Sequence, residues 1–123
     1  MAKIYVIEDE PSLRLLYRTE LEGMGHNVTC LSNGREAISR LKEDQPDLIV
    51  LDIMMPEGDG MEFLTKMLDH RMDIPVIINS AYSHYKNDFM SWAAEAYVVK
   101  SSDMTELKSE IHKVLDKSQM ATV

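Results

Sequence analysis

Residues 46–56, Pro46-Asp47-Leu48-Ile49-Val50-Leu51-Asp52-Ile53-Met54-Met55-Pro56, hold an unbroken apolar run, an acid that closes it, and a loop stopped by proline. A short apolar run of this kind reads as a strand covered on both faces. In open α/β sheets the crevice that carries chemistry lies at the carboxyl ends of such strands, which is where Asp52 stands. Working outward, the same pattern recurs. The run Ile4–Ile7 ends in Glu8 and Asp9, Val76–Ile78 leads through Asn79 to Ser80, and Tyr97–Val99 leads to Lys100. Four strands thus deliver a reactive group at one end. A fifth apolar run, Val28–Leu31, carries none.

Helical patterns separate the runs. Leu13, Leu16, Tyr17, Leu21 and Met24 mark one face, with Pro11 suited to a first turn and Gly25 just past the end. Ala37, Ile38 and Leu41 mark a second, opened by Asn33-Gly34 and stopped before Pro46. Met61, Leu64, Met67 and Leu68 give a third, and Leu107, Ile111, Val114 and Leu115 a fifth. The fourth, within Tyr82–Ala94, opens on poor helix formers and has no clear cap. Residues around Gln119–Val123 read as a frayed end. Five βα units predict an α/β domain whose parallel sheet carries helices on both faces.

Composition narrows the function. The 123 residues bear a net charge of −8, which argues against direct binding to nucleic acid or an anionic membrane, since phosphate backbones call for clustered Lys and Arg. No stretch approaches the roughly 20 apolar residues of a membrane span. A single cysteine, Cys30, excludes an internal disulfide and fits a reducing, cytoplasmic setting. His26, His70, His84 and His112 lack metal-ligand spacing, and the ten methionines read as packing residues.

If the first and third strands are neighbours, Glu8, Asp9 and Asp52 converge. At ~4 Å each like-charged pair costs about 1 kcal/mol in water and about 4 kcal/mol at an effective dielectric near 20. A divalent cation relieves that repulsion, and oxygen-only ligands on a partly open rim suit Mg²⁺. Lys100 at the end of the fifth strand can pair with Asp52 at rest and later hold a phosphoryl oxygen as a point charge. The Ser80 hydroxyl can donate to the same oxygen.

Taken together, these pieces resemble the receiver domain of bacterial response regulators. The resemblance is carried by Val6-Ile7-Glu8-Asp9-Glu10, by residues 46–56 with Gly58 and Gly60 after them, by Val76-Ile77-Ile78-Asn79-Ser80-Ala81, and by Ala96-Tyr97-Val98-Val99-Lys100. It implies a flavodoxin-like (βα)₅ fold with strand order 2-1-3-4-5, and one receiver domain over 1–123 with no output domain. It implies that Asp52 accepts a phosphoryl group from a sensor histidine kinase, a phosphotransfer protein or a small donor, so that the chain is a phosphoacceptor without a separate substrate. Mg²⁺ would be held by Asp9, Asp52 and the Met54 carbonyl, with Glu8 acting through water. Ser80, the Ala81 N–H and Lys100 would take phosphoryl oxygens. Ser80 and Tyr97 would switch the face formed by the fourth helix, fifth strand and fifth helix, to be read by a partner protein or by a second copy in a phosphorylation-dependent homodimer. Met54 and Tyr82 would tune the lifetime of the phosphorylated state, and two bulky side chains there predict slow hydrolysis.

Three positions depart from the family pattern. Ser101 follows Lys100 where proline, often after a cis bond, is usual; Glu8-Asp9 replaces Asp-Asp; and Ser80 stands for threonine. Each required chemical group survives. Competing readings are fewer. A flavodoxin-like cofactor binder would need a phosphate-cradling loop after the first strand, where Glu8-Asp9-Glu10 would repel it. A hydrolase using Asp52 would need a substrate-enclosing cap. A receiver-like interaction module that works without phosphorylation is the alternative that uptake of a phosphoryl group separates.

Overall fold

The computed structural model describes residues 2–52, 59–70, 72–81, 94–101 and 103–121, with the side chains of 59–61, 68 and 118–121 left aside. Five strands, β1 (Lys3–Ile7), β2 (Asn27–Leu31), β3 (Leu48–Leu51), β4 (Val76–Ser80) and β5 (Ala96–Val99), form one parallel sheet in the order β2-β1-β3-β4-β5. The alternation of side chains along a strand divides each strand between two layers. Ile4 and Val6 face one layer, with Val50, Ile77 and Val98, while Tyr5 and Ile7 face the other, with Ile49, Leu51 and Ile78. Burial on both sides is why these runs are continuously apolar rather than alternating.

Helices α1 (Pro11–Gly23) and α4 (Thr105–Ala121, the fifth helix of the sequence pattern) cover the first layer. Helices α2 (Gly34–Glu43) and α3 (Asp59–Asp69) cover the second. Pro11 occupies the first turn of α1, and Gly25, at φ +95°, turns the chain back toward β2 in a conformation that glycine tolerates without strain. Asn33 caps α2 by accepting from the Glu36 N–H at 2.8 Å, while Glu36 accepts from the Ser32 hydroxyl at 3.0 Å. Asp103 caps the start of α4 through the Thr105 N–H and hydroxyl. Among the described residues no helix is long and apolar enough to cross a membrane.

Two expectations need correction. In α1 the buried stripe is Tyr17 and Leu21, with Leu13 partly covered, because residues four apart line the side that rests on the sheet. Leu16 and Met24 lie at its rim and are exposed, as is Leu15 at 67%. The C-terminal helix continues to Ala121 instead of fraying at Gln119. In α3, Leu64 and Met67 are buried as expected, joined by Phe63. Met61 and Leu68 side chains, and the proposed fourth helix up to residue 93, fall outside the described residues. Cys30 sits half-buried on β2, where burial pushes its thiol pKa up.

Candidate functional site

Parallel pairing sets the four reactive strand ends side by side, and main-chain bonds carry the ladder one residue beyond the strands. The Asp52 N–H donates to the Ile7 carbonyl at 3.0 Å and the Lys100 N–H to the Ser80 carbonyl at 2.6 Å. On the outer side, the Glu8 N–H donates to the Leu31 carbonyl at 3.0 Å. Glu8, Asp52, Ser80 and Lys100 are therefore each fixed at the backbone by a neighbouring strand.

Glu8, Asp9 and Asp52 each offer a carboxylate oxygen within 4.8 Å of the others. Glu8 and Asp52 are buried and Asp9 is half-buried. Lys100 bridges two of the acids, its Nζ lying 2.7 Å from Glu8 Oε1 and 3.2 Å from Asp52 Oδ2. The contact with Asp52 is a hydrogen bond. The contact with Glu8 is an ion pair without hydrogen-bond direction, and among the described residues Glu8 Oε1 is the one buried side-chain oxygen left without a donor. A buried, under-donated oxygen beside two further carboxylates is a hard, oxygen-only donor set of the kind that holds Mg²⁺.

Electrostatics follow from the same geometry. Burial lifts the Glu8 carboxyl to a pKa of about 7; Asp52 adds to the rise and Lys100 opposes it. Burial also works against the Lys100 ammonium, but contact with Glu8 and the charges of Asp52 and Glu8 outweigh it, so its pKa lies above the ordinary lysine value.

The sequence pointed to Glu8, Asp9, Asp52 and Lys100, and the fold brings all four together. Ser80 is fully buried at the same edge and Ala81 follows it, exposed. Tyr97 is buried in the α2–α3 layer beside Ile78 and Ala94. Met54 and Tyr82 lie outside the described residues, and the Lys100–Ser101 peptide bond is trans.

Three contributors escaped the sequence reading. The Glu8–Lys100 contact is closer than the expected Asp52–Lys100 pair. Arg14 Nη1 donates to the carbonyls of Glu8 and Asp9 at 2.8 and 2.9 Å, bracing the acidic loop from α1. Asn79 on β4 and Tyr17 on α1 are both buried. An arginine one turn into a helix that follows acids was the available signal for the second; nothing in the spacing marked the third.

The fold is a parallel α/β domain with an acidic crevice at the carboxyl ends of its strands, and comparison places it. The response regulator receiver domain family matches residues 4–112, and the chain belongs to that family. It is 35% identical over 122 residues to the probable transcriptional regulator ycf27 of Porphyridium aerugineum, covering 98% of this chain and 50% of that one. It is 30% identical over 121 residues to the alkaline phosphatase synthesis transcriptional regulatory protein PhoP of Bacillus subtilis, covering 97% and 50%. The chain thus spans about half the length of these curated relatives. Among solved structures it is similar to the response regulator TrrA of Thermotoga maritima in complex with Mg²⁺-BeF, with 39% identity, TM-score 0.85, and coverage of 93% of this chain and 99% of that one. TrrA in complex with the histidine kinase ThkA gives 40% identity, TM-score 0.84, and coverage of 94% and 99%.

Proposed function

We propose that this receiver domain is phosphorylated on Asp52 and that the modification is its switch. The observation that carries the reading is the convergence of Glu8, Asp9 and Asp52 within 4.8 Å, bridged by Lys100. An Asp52 carboxylate oxygen attacks phosphorus, the bond from phosphorus to the donor breaks, and the leaving group keeps that electron pair and is protonated. In-line phosphoryl transfer asks the protein chiefly for position and for offsetting charge. Lys100 is already at Asp52 and can follow the phosphoryl oxygens as they arrive; Ser80 and the Ala81 N–H stand at the end of the adjacent strand.

Asp9 and Asp52, with Glu8 behind them, would hold Mg²⁺, and the resemblance adds the Met54 carbonyl. When bound, the ion supplies positive charge against three carboxylates and the incoming phosphoryl group. The acceptor is the protein's own side chain, so no separate substrate is required. A phosphohistidine of a sensor kinase or phosphotransfer protein supplies the phosphoryl group, in keeping with the TrrA–ThkA complex. The face around Tyr97, β5 and α4 would report the change to a protein partner or a second copy. Met54 and Tyr82 would govern how long the acyl phosphate lasts.

Incubation with phosphoramidate and Mg²⁺ followed by intact-mass measurement tests this. The expected result is a gain of one phosphoryl group in the wild type and none in Asp52→Asn. No gain in the wild type, or an adduct that survives the substitution, defeats the proposal and favours an interaction module that works without phosphorylation.

A further inference from the structure

Arg14 lies near the start of α1, where the positive end of the helix disfavours a cation. Helix spacing offers it an ion-pair partner in Glu10, four residues earlier. The Glu10 carboxylate instead accepts from the Ser12 hydroxyl at 3.0 Å. Arg14 is half-buried, and its side chain runs back toward the helix N-terminus, to the loop that carries two of the three clustered acids. There Nη1 donates to the Glu8 carbonyl at 2.8 Å and to the Asp9 carbonyl at 2.9 Å. Helix propensity and solubility require neither bond.

Two bonds from one nitrogen to successive carbonyls do more than tie a loop down. Peptide units are planar, so the freedom between the Glu8 and Asp9 carbonyls is the φ and ψ of Asp9 alone. Holding both oxygens at one point restricts that pair of angles, and with it the direction in which the Asp9 side chain leaves the backbone. The sheet leaves this direction open. β1 ends at Ile7, and its ladder extends one residue further, through the Glu8 N–H on the Leu31 carbonyl. The Glu8 side chain is held as well, by the Glu10 N–H on Oε2 at 3.3 Å and by Lys100 at 2.7 Å from Oε1. Asp9 stands one residue past that ladder, with its carbonyl on Arg14.

We infer that Arg14 is a positioning residue for the cation: through the Glu8 and Asp9 carbonyls, its guanidinium aims the Asp9 carboxylate into the cluster with Glu8 and Asp52. This deepens the reading of those three acids as the Mg²⁺ site and rests on it. Mg²⁺ demands near-ideal ligand geometry, so a ligand free to swing serves it poorly. Removing groups that orient metal ligands costs about 10- to 100-fold in affinity. Charge alone predicts the opposite, because a guanidinium beside the acids repels a second cation and its removal would tighten binding. The sign of the change separates aim from charge.

Calorimetric Mg²⁺ affinity and metal-free urea unfolding, measured for wild type, Arg14→Met, Arg14→Lys, Asn33→Ala and Asp9→Asn, test this. Arg14→Met keeps most of the stem and loses both donors and charge; its Mg²⁺ affinity should fall about tenfold or more. Arg14→Lys keeps the charge but carries a compact ammonium on a shorter reach, so it isolates position and should also bind Mg²⁺ more weakly than wild type. Asn33→Ala loses stability through a helix cap and should stay within about twofold of wild type. Wild-type or tighter Mg²⁺ binding in either Arg14 variant overturns the positioning role. An equal loss in Asn33→Ala overturns it too, since affinity would then follow stability alone. A wild type that binds no Mg²⁺, or an Asp9→Asn that binds it as tightly as wild type, overturns the reading of the acids as the cation site and this inference with it.

Discussion

Lys100 Nζ lies 2.7 Å from Glu8 Oε1, nearer than its 3.2 Å to Asp52 Oδ2. The resting cation is therefore anchored on the first strand and only leans on the acceptor. An ammonium held this way leaves one Asp52 oxygen outside its contact and remains close enough to meet charge that arrives there. The arrangement also leaves Glu8 a carboxylate whose ionisation its burial and Asp52 resist.

That resistance has a readable pH signature. The folded-state pKa of Glu8 is about 7 against an ordinary 4.5, so the folded chain binds this proton more tightly than the unfolded chain does. The resulting stability is fully present below about pH 4.5 and is lost as pH rises through 7. In metal-free protein, the unfolding free energy of wild type minus that of Glu8→Gln should fall by about 1–3 kcal/mol between pH 5 and 8. Urea titrations at each pH measure it, and a flat difference refutes the assignment.

Removing the cation should expose the strain it relieves. Lys100→Met leaves Glu8 and Asp52 facing each other, and breaking a buried pair costs about 3–5 kcal/mol when the partner stays charged. Because Lys100 is partly exposed and Glu8 can take up a proton, the loss at pH 8 should be about 1–3 kcal/mol. Added Mg²⁺ should recover part of it. Unchanged stability in metal-free Lys100→Met would contradict the bridging role.

Cation dependence can be separated from the acceptor. Chelation with EDTA should abolish phosphoryl uptake. Asp9→Asn should weaken Mg²⁺ binding at least tenfold by calorimetry, about 1.4 kcal/mol, with the fold retained by circular dichroism. Tight binding after that change would move the ion elsewhere.

A helix cap whose hydrogen bonds stay within residues 32–36 provides a control. Asn33→Ala removes the acceptor for the Glu36 N–H and should cost about 1 kcal/mol of stability. Phosphorylation should keep its wild-type rate at temperatures where the variant is folded. A large rate loss would mean that α2 communicates with the site.

Strand positions were legible because strands covered on both faces must be continuously apolar, and Leu48–Leu51 and Val76–Ile78 have that form. Asp52, Lys100 and the acids were legible because parallel strands must end on one edge. The inward face of α1 was only half legible: its apolar residues outnumber those the sheet can cover, so Leu16 and Met24 look internal until the helix is docked. The Glu8–Lys100 contact depends on how far two side chains reach across β3 and β4, and no spacing encodes that. Strand order came through family resemblance and not from any single run.

The bond from the Lys100 amide to the Ser80 carbonyl is made entirely of backbone. Exchanging either side chain leaves it untouched, so the hydroxyl and the ammonium ride on one hinge. A push delivered to the tip of β4 must travel into β5, and evolution can retune what each jaw grips without ever separating the jaws.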